Sequence, residues 1–365
     1  MNILILTNND GGLFKFRREL IETFIKKNQK VYVSVPKGTF IQELQMLGCK
    51  VIVHNHLVRR GTNIKQDFRL ILYYKDLIKK VEPNIVLTYT IKPNIYGGMM
   101  CNYWGIPYIA NITGLGTSIE NQGFLRYLVL FLYKQGLKQA NRVFFQNEEN
   151  QNFMVRNHIV KRERCKLLPG SGVNTSQYDY IPYPQSDKVV ILTTIGRIMR
   201  DKGIDEILEA AEKIKREYPN TVFRLIGNFD EDYEDKIKKL VEKGVIHYIP
   251  QQKEVQSYLA SSHGILHASY HEGMSNVLLE AASTGRPIIA TDIPGCIEIF
   301  EPDRTGIAFK AKDTESLVQA IKRFLDLSYE QKVIMGKRGR EKVMKEFDRS
   351  IVVDEYCREI EKIWR

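Results

Sequence analysis

The sequence predicts an α/β protein made of two parallel-sheet domains, and three observations carry that expectation. Short apolar runs alternate with helical patterns from residue 2 to residue 146, the rhythm of strand–helix–strand units. The rhythm stops over 169–187, where Pro169, Gly170, Gly172, Pro182 and Pro184 gather among Ser, Asn and Tyr, the composition of a linker. It then resumes and ends in a stretch that reads as helix throughout. A chain of 365 residues gives each of two domains enough length to bury a full core.

Taken in order, the apolar run Asn2–Thr7 is a buried strand, followed by the turn Asn8-Asn-Asp-Gly-Gly12 and the helical periodicity of Leu13–Ile25. Strands follow at Lys30–Val35 and Lys50–His54, then a helix around Phe68–Val81. Strand Ile85–Thr90, helix Tyr96–Trp104, strand Tyr108–Ile112, helix Phe124–Gln139 and strand Arg142–Gln146 complete the first series. Beyond the linker come strand Val189–Ile195, helix Ile204–Glu217, strand Thr221–Ile226 and helix Tyr233–Lys243. Strand Ile246–Tyr248, helix Val255–Ala260, strand Gly264–Ala268, helix Asn276–Ser283 and strand Pro287–Ala290 continue it. Helices Thr314–Asp326, Tyr329–Phe347 and Arg349–Arg365 close the chain. The expected domains are 1–168 and 188–348, with 349–365 turning at Asp348 to return to the first.

The composition, 43% apolar and 27% charged, is that of a soluble globular protein. The first residues lack the basic start and the length of a signal peptide, and the longest apolar stretch, Leu125–Tyr133, is broken by Arg126 and ended by Lys134. Five scattered cysteines without a C-x-x-C pair fit a reducing cytoplasm and supply no thiolate metal site. The net charge of +11 is uneven: residues 1–180 hold 25 Lys/Arg against 12 Asp/Glu, and 181–365 hold 29 against 31. The first half therefore suits an anionic partner, whether membrane surface, nucleic acid or polyanionic substrate.

The chemistry concentrates in Glu272-Gly-Met-Ser-Asn-Val-Leu-Leu-Glu280, two carboxylates eight positions apart around a helix start. A helix start offers unpaired amides and positive dipole to a phosphate, while Glu280, acceptor-only and one turn inside, suits neutral hydroxyls. Phosphate and hydroxyls together describe a sugar nucleotide; a solvated acidic loop ahead of a core helix has the same sequence pattern. Gly196-Arg197-Ile-Met-Arg-Asp-Lys202-Gly203 closes the first strand of the second domain and presents two cations suited to a diphosphate. Asn9-Asp10-Gly11-Gly12 lies between the first strand and helix, where glycine lets backbone approach a ligand. No G-x-G-x-x-G follows that strand, and the G-x-G at Gly114–Gly116 lacks the third glycine, so a dinucleotide site is not indicated.

Together, Gly196-Arg-x4-Lys-Gly, Ser269-x-x-Glu-Gly, Glu272-x7-Glu280 and Gly285-Arg-Pro resemble the retaining glycosyltransferases of family 4, over nearly the whole chain. That resemblance implies the GT-B fold, two Rossmann-like domains facing across a cleft with the C-terminal helix packed back on the first. Thr88–Gly97, Asn111–Gly116 and Leu168–Val173 resemble a bacterial surface-polysaccharide subgroup that extends a sugar carried on undecaprenyl diphosphate. By the same resemblance the donor is a UDP-sugar, UDP-N-acetylgalactosamine or a related hexose. Arg197 and Lys202 would hold its diphosphate, Glu280 the ribose, and Glu272 with Gly273, Met274, Ser275 and Asn276 the sugar, while the loops after Gly227 and Ile249 would house the base. Arg197, Lys202 and Glu272 would be the catalytic set, with Gly11 and Gly12 also on the donor and Lys92, Asn94, Thr113 and Gly114 on the acceptor side. Thr113 stands where many relatives carry histidine, and no other residue takes over as base. Retention would then follow front-face attack, with the leaving phosphate taking the acceptor proton. No bound cofactor or metal is implied. The implied setting is the inner face of a bacterial plasma membrane, met through the basic first domain.

Other patterns compete. Asp230-Glu-Asp232 has the D-x-D form of a metal site but reads as a solvated helix start. His263, His267 and His271 recur every four residues, yet the strand at 264–268 does not converge that spacing on one metal. Leu125–Lys138 reads as a core helix or as a helix on lipid headgroups with Arg126, Lys134 and Lys138, joined by Arg17, Arg18, Arg59 and Arg60. The alternative enzyme is a UDP-sugar 2-epimerase of similar architecture. A non-enzymatic nucleic-acid-binding protein is the remote reading, unsupported by any recognisable motif.

Overall fold

A computed structural model describes residues 1–57, 63–115, 123–185 and 188–364, apart from the side chain of Phe124. The chain divides into two compact units, Met1–Ser171 with Arg349–Arg365, and Gly172–Asp348.

The first unit holds β1 (Asn2–Leu6), β2 (Lys30–Pro36), β3 (Lys50–His54), β4 (Ile85–Tyr89), β5 (Tyr108–Ile112), β6 (Arg142–Phe145) and β7 (Cys165–Leu167) in one sheet of order β3-β2-β1-β4-β5-β6-β7. All pairings are parallel, with Ile3 beside Val31 on one side and Ile85 on the other. Strands covered on both faces need unbroken apolar runs, which is why Ile3–Leu6 and Ile85–Tyr89 are buried throughout. Helices Asp10–Lys26 and Ile41–Met46 lie with the C-terminal helix Arg349–Trp364 on one face. Helices Ile64–Val81, Gly98–Trp104 and Phe124–Gly136 cover the other. The returning helix is fixed by Val352, Tyr356 and Ile360 in the core, by the Tyr89 hydroxyl donating to that of Tyr356 (3.1 Å), and by Arg349 on Glu19 (2.9 Å).

Helix Ile64–Val81 begins four residues before the expected Phe68, because the Asn63 side chain caps it by accepting from the amides of Lys65 and Gln66. The helix expected at Tyr96–Trp104 is split into a π-turn, Pro93–Gly97, and Gly98–Trp104. The cause is close packing: a Cβ on Gly98 would overlap the Gly136 carbonyl oxygen, and one on Gly136 would lie 2.6 Å from Ile95 Cα. Helices Ile41–Met46 and Glu148–Arg156, and strand β7, were not expected from the sequence.

The second unit holds β8 (Val190–Ile195), β9 (Thr221–Ile226), β10 (Ile246–Ile249), β11 (Gly264–His267), β12 (Ile288–Thr291) and β13 (Gly306–Phe309), ordered β10-β9-β8-β11-β12-β13 and all parallel. β13 is a further strand that the sequence reading missed. In each sheet the first strand sits centrally and the chain winds away from it in both directions, so β1 and β8 mark the switch points where such sheets bind ligands.

The second unit begins inside the stretch read as linker. Arg286, fully buried, donates to the carbonyls of Ile181, Pro182, Leu259 and Ala260, and the Tyr183 hydroxyl donates to His263 O (2.8 Å). Residues 178–183 are thereby strapped to the domain, which gives Gly285-Arg-Pro a structural purpose. Burial lowers the Arg286 pKa to about 10.

Candidate active site

The site of the second unit is assembled where β8 and β11 end. After β8 the chain makes a tight turn, Arg200–Lys202, closed by Gly203 at φ +66°. A Cβ there would overlap the Ala268 carbonyl oxygen, so only glycine lets this turn lie against the end of β11. The two loops are then stapled: Tyr270 N–H donates to Asp201 O (2.9 Å), and Ser269 Oγ donates to the same carbonyl (3.3 Å).

That contact delivers Lys202 to Glu272 across 70 residues of sequence. Lys202 Nζ lies 2.5 Å from Glu272 Oε1, and His267 Nε2 lies 3.0 Å from the same oxygen. Burial alone would raise the Glu272 pKa, but the Lys202 ammonium and the His267 ring overcome it and hold the carboxyl well below the usual range. Glu272 is thus an ionised, largely buried carboxylate. Ser275 Oγ lies 3.2 Å from His267 Nε2, so the residue preceding helix Asn276–Ser283 turns its hydroxyl to the histidine. The helix receives no side-chain cap, and its first-turn amides keep their affinity for an anion. Ser275 N–H donates to Gly295 O (2.8 Å), and Gly295, at φ +84°, packs so tightly that a Cβ would stand 2.8 Å from Gly273 O. Gly273 and Met274 are held in this loop, while Glu280 lies one turn inside the helix and partly exposed.

Arg197 does not point with Lys202. It pairs with Asp230 Oδ2 (2.5 Å), and Glu231 accepts from Arg200 N–H (2.8 Å). Each of these two cations is matched with its own carboxylate in this structure, and Asp230 is a partner of Arg197 rather than part of a solvated helix start. Gly227 has a packing reason for its identity, since a Cβ would overlap the Gly196 carbonyl oxygen.

The remaining candidates lie in the first unit. Gly11 and Gly12 occupy the first turn of helix Asp10–Lys26, where Asn9 Oδ1 accepts from Gly12 N–H (3.0 Å). Lys92 pairs with Asp67 (2.7 Å). Asn94 is 1% exposed and joins β4 to β5: it accepts from Thr88 Oγ1 (2.6 Å) and donates to Asn111 O (2.8 Å). Its expected place on an open acceptor surface is corrected, because its amide is occupied inside the fold. Thr113 and Gly114 follow the end of β5, and Gly114, at φ +149°, has space where a Cβ would stand.

Arg17, expected on a membrane face, is 5% exposed and stacks over the rings of Tyr89 and Tyr356. Arg18 pairs with Glu22, and Arg126 lies over the Phe153 ring. Arg59, Arg60 and Gly116 fall outside the described residues.

Two residues escaped the sequence reading. His267 was weighed only as a metal ligand, yet it touches both Glu272 and Ser275. Thr90, directly after β4, adopts φ +73°, strained for a β-branched residue, and its hydroxyl is buried without a partner among the described residues.

Residues 2–147 match the family described as "Glycosyl transferase 4-like" and residues 182–342 that described as "Glycosyl transferases group 1". The chain is a glycosyltransferase, and it matches these two families over successive stretches. It is 26% identical, over all of its length and 99% of the relative's, to the N,N'-diacetylbacillosaminyl-diphospho-undecaprenol alpha-1,3-N-acetylgalactosaminyltransferase of Campylobacter jejuni. It is 24% identical over 80% of its length, and 78% of the relative's, to the UDP-Gal:alpha-D-GlcNAc-diphosphoundecaprenol alpha-1,3-galactosyltransferase of Escherichia coli. A glycosyltransferase structure from Rickettsia africae superimposes with TM-score 0.81 at 17% identity, covering all of this chain and 98% of that one. Anabaena HepE in complex with UDP does so with TM-score 0.80 at 15% identity, covering 99% and 100%. The fold is therefore GT-B, two Rossmann-like domains.

Proposed function

We propose that this glycosyltransferase moves a hexose or N-acetylhexosamine from a UDP-sugar to a lipid-linked saccharide, with retention at the anomeric carbon. The observation that carries the donor half is the Lys202–Glu272–His267 cluster beside an uncapped helix start, with Glu280 one turn inside. In this reading the helix amides and Lys202 receive the diphosphate, Glu280 accepts from the ribose hydroxyls, and Glu272 with the Gly273–Asn276 backbone orients the sugar. Arg197 joins Lys202 by exchanging Asp230 for phosphate oxygen.

The acceptor hydroxyl attacks the anomeric carbon as its bond to the diphosphate oxygen breaks, and the departing diphosphate takes the hydroxyl proton. Negative charge grows on the leaving group, where Lys202, Arg197 and the helix start lie; no protein base or bound metal is required for that balance. The acceptor half rests on the names of the relatives, whose acceptors are undecaprenyl-diphosphate saccharides, and on the basic first unit. Lys92, Thr113, Gly114 and the strained Thr90 lie near the strand ends that would receive it. UDP-N-acetylgalactosamine is the preferred donor, and the inner face of a bacterial plasma membrane the preferred setting.

A panel of UDP-hexoses and UDP-N-acetylhexosamines, scored by protection against thermal unfolding, tests the donor. One or a few should raise the melting temperature in proportion to the logarithm of concentration. A flat response to every member and to UDP itself would remove the reading. An epimer formed from UDP-sugar without any acceptor would replace transfer by epimerisation.

A further inference from the structure

A serine, aspartate or asparagine with extended backbone directly before a helix normally turns its side chain onto a first-turn amide. Asn9, Asn63, Asn147, Asp313 and Ser328 all do so in this chain. Ser328 Oγ accepts from the amide of Gln331 (3.2 Å). Ser275 has the same residue type, an extended backbone (φ −77°, ψ 104°) and helix Asn276–Ser283 directly after it, yet its hydroxyl caps nothing. The amide it would reach by analogy with Ser328 is that of Leu278.

His267 accounts for the difference. It is the last residue of β11 and is buried, as is Ser275. Its Nε2 lies 3.2 Å from Ser275 Oγ and 3.0 Å from Glu272 Oε1. Glu272 is ionised and can only accept, so the hydrogen sits on Nε2 and the two oxygens share it. Ser275 is fixed from the other side by its own N–H on Gly295 O (2.8 Å), which leaves the side chain as the part that chooses between ring and helix. The ring wins, and the first turn keeps its amides without a side-chain partner.

We propose that His267 is a positioning residue for the donor: its one Nε2–H orients Glu272 and holds the Ser275 hydroxyl off the helix start, keeping the Val277 and Leu278 amides open to a diphosphate. The proposal rests on the reading that this helix start receives the diphosphate of a UDP-sugar.

The test is UDP binding by titration calorimetry, joined by transfer from UDP-N-acetylgalactosamine and by unfolding without ligand. His267→Leu removes the donor group, His267→Asn holds its N–H short of both partners, and His267→Gln carries one at the reach of Nε2. The leucine and asparagine variants should bind UDP about tenfold more weakly, because phosphate must then displace a serine cap. The glutamine variant should stay within about threefold of wild type. Adding Ser275→Ala to either weak variant removes the competing hydroxyl and should bring UDP binding back to within about threefold of wild type. In those double variants kcat should stay roughly tenfold down, since Glu272 still lacks its orienting N–H. Without ligand, Ser275→Ala should lower the melting temperature by roughly 2–4 °C in the His267→Leu background, where the hydroxyl caps the helix, and by less in the wild-type background.

Unchanged UDP binding in a folded leucine or asparagine variant overturns the proposal. So does weak binding that Ser275→Ala fails to restore, because His267 would then only fill space. A glutamine variant that binds UDP tenfold more weakly overturns it as well. A wild-type chain that binds no UDP yet shows the expected unfolding pattern supports the hold of His267 on Ser275 and instead overturns the donor reading.

Discussion

Replacing Lys202 with methionine keeps the length of the side chain and removes its charge. Lys202 Nζ is 2.5 Å from Glu272 Oε1, and the two side chains are only 21% and 16% exposed. Exposed ion pairs contribute about 0–1 kcal/mol, whereas removing one member of a buried pair costs about 3–5 kcal/mol. This pair lies nearer the buried limit and keeps His267 as a second partner of Glu272, so we expect a loss of about 2–3 kcal/mol. In a domain of this size that lowers the melting temperature by roughly 4–12 °C. The catalytic effect should be larger. A cation aimed at a departing diphosphate is comparable to one oxyanion-hole donor, worth roughly 100- to 1,000-fold in kcat. Calorimetric unfolding and turnover at saturating UDP-sugar, measured well below the melting temperature, separate the two effects. A folded Lys202→Met protein with kcat within threefold of wild type would refute the assignment, whatever its melting temperature.

Further outcomes follow from the same geometry. Glu280→Ala should fold normally and bind UDP at least about tenfold more weakly by titration calorimetry, the loss of roughly 1.4 kcal/mol expected for a charged acceptor serving hydroxyls. The Glu272 pKa is depressed in the folded chain, so its contribution to stability is present above the ordinary carboxylate pKa of about 4.3 and is lost as pH falls through the folded value. The melting-temperature gap between wild type and Glu272→Gln should accordingly be constant from about pH 7 to pH 5 and close below about pH 4. Gly203→Ala forces a side chain onto the Ala268 carbonyl at φ +66°, and should cost about 2–4 kcal/mol and lower kcat by displacing Lys202; normal stability would contradict the turn's role. Turnover should be unaffected by a chelator in excess, and restoration by an added divalent ion would revive Asp230–Asp232 as a metal site.

The alternation of strand and helix was legible because parallel strands buried on both faces must be apolar runs, and β3, β5 and helix Asn276–Ser283 match their expected bounds. Strand β7 was not legible: it has only three residues, too few to show a period. The π-turn at Pro93–Gly97 depends on the approach of Gly136 from a helix about 40 residues on, which no local pattern encodes. Arg17 was legible but misread, since it is four residues after Leu13 and four before Ile21, on the buried stripe of its helix. In the site, the residue types at 202, 272 and 280 were visible as motifs, but not the pairing of Lys202 with Glu272, which depends on Gly203 fitting against Ala268. His267 was noticed only for its spacing from His263 and His271, because a strand end hides which neighbour its ring will meet.

The most direct measurement of the central claim is transfer itself, from each of a panel of UDP-sugars to a short-chain lipid-diphosphate saccharide. Mass spectrometry follows the product, and the anomeric coupling constant gives its configuration. The account predicts release of UDP and an α-linked product, with both lost when Lys202 or Glu280 is replaced by alanine. A β-linked product, or full transfer by those two variants, would contradict it.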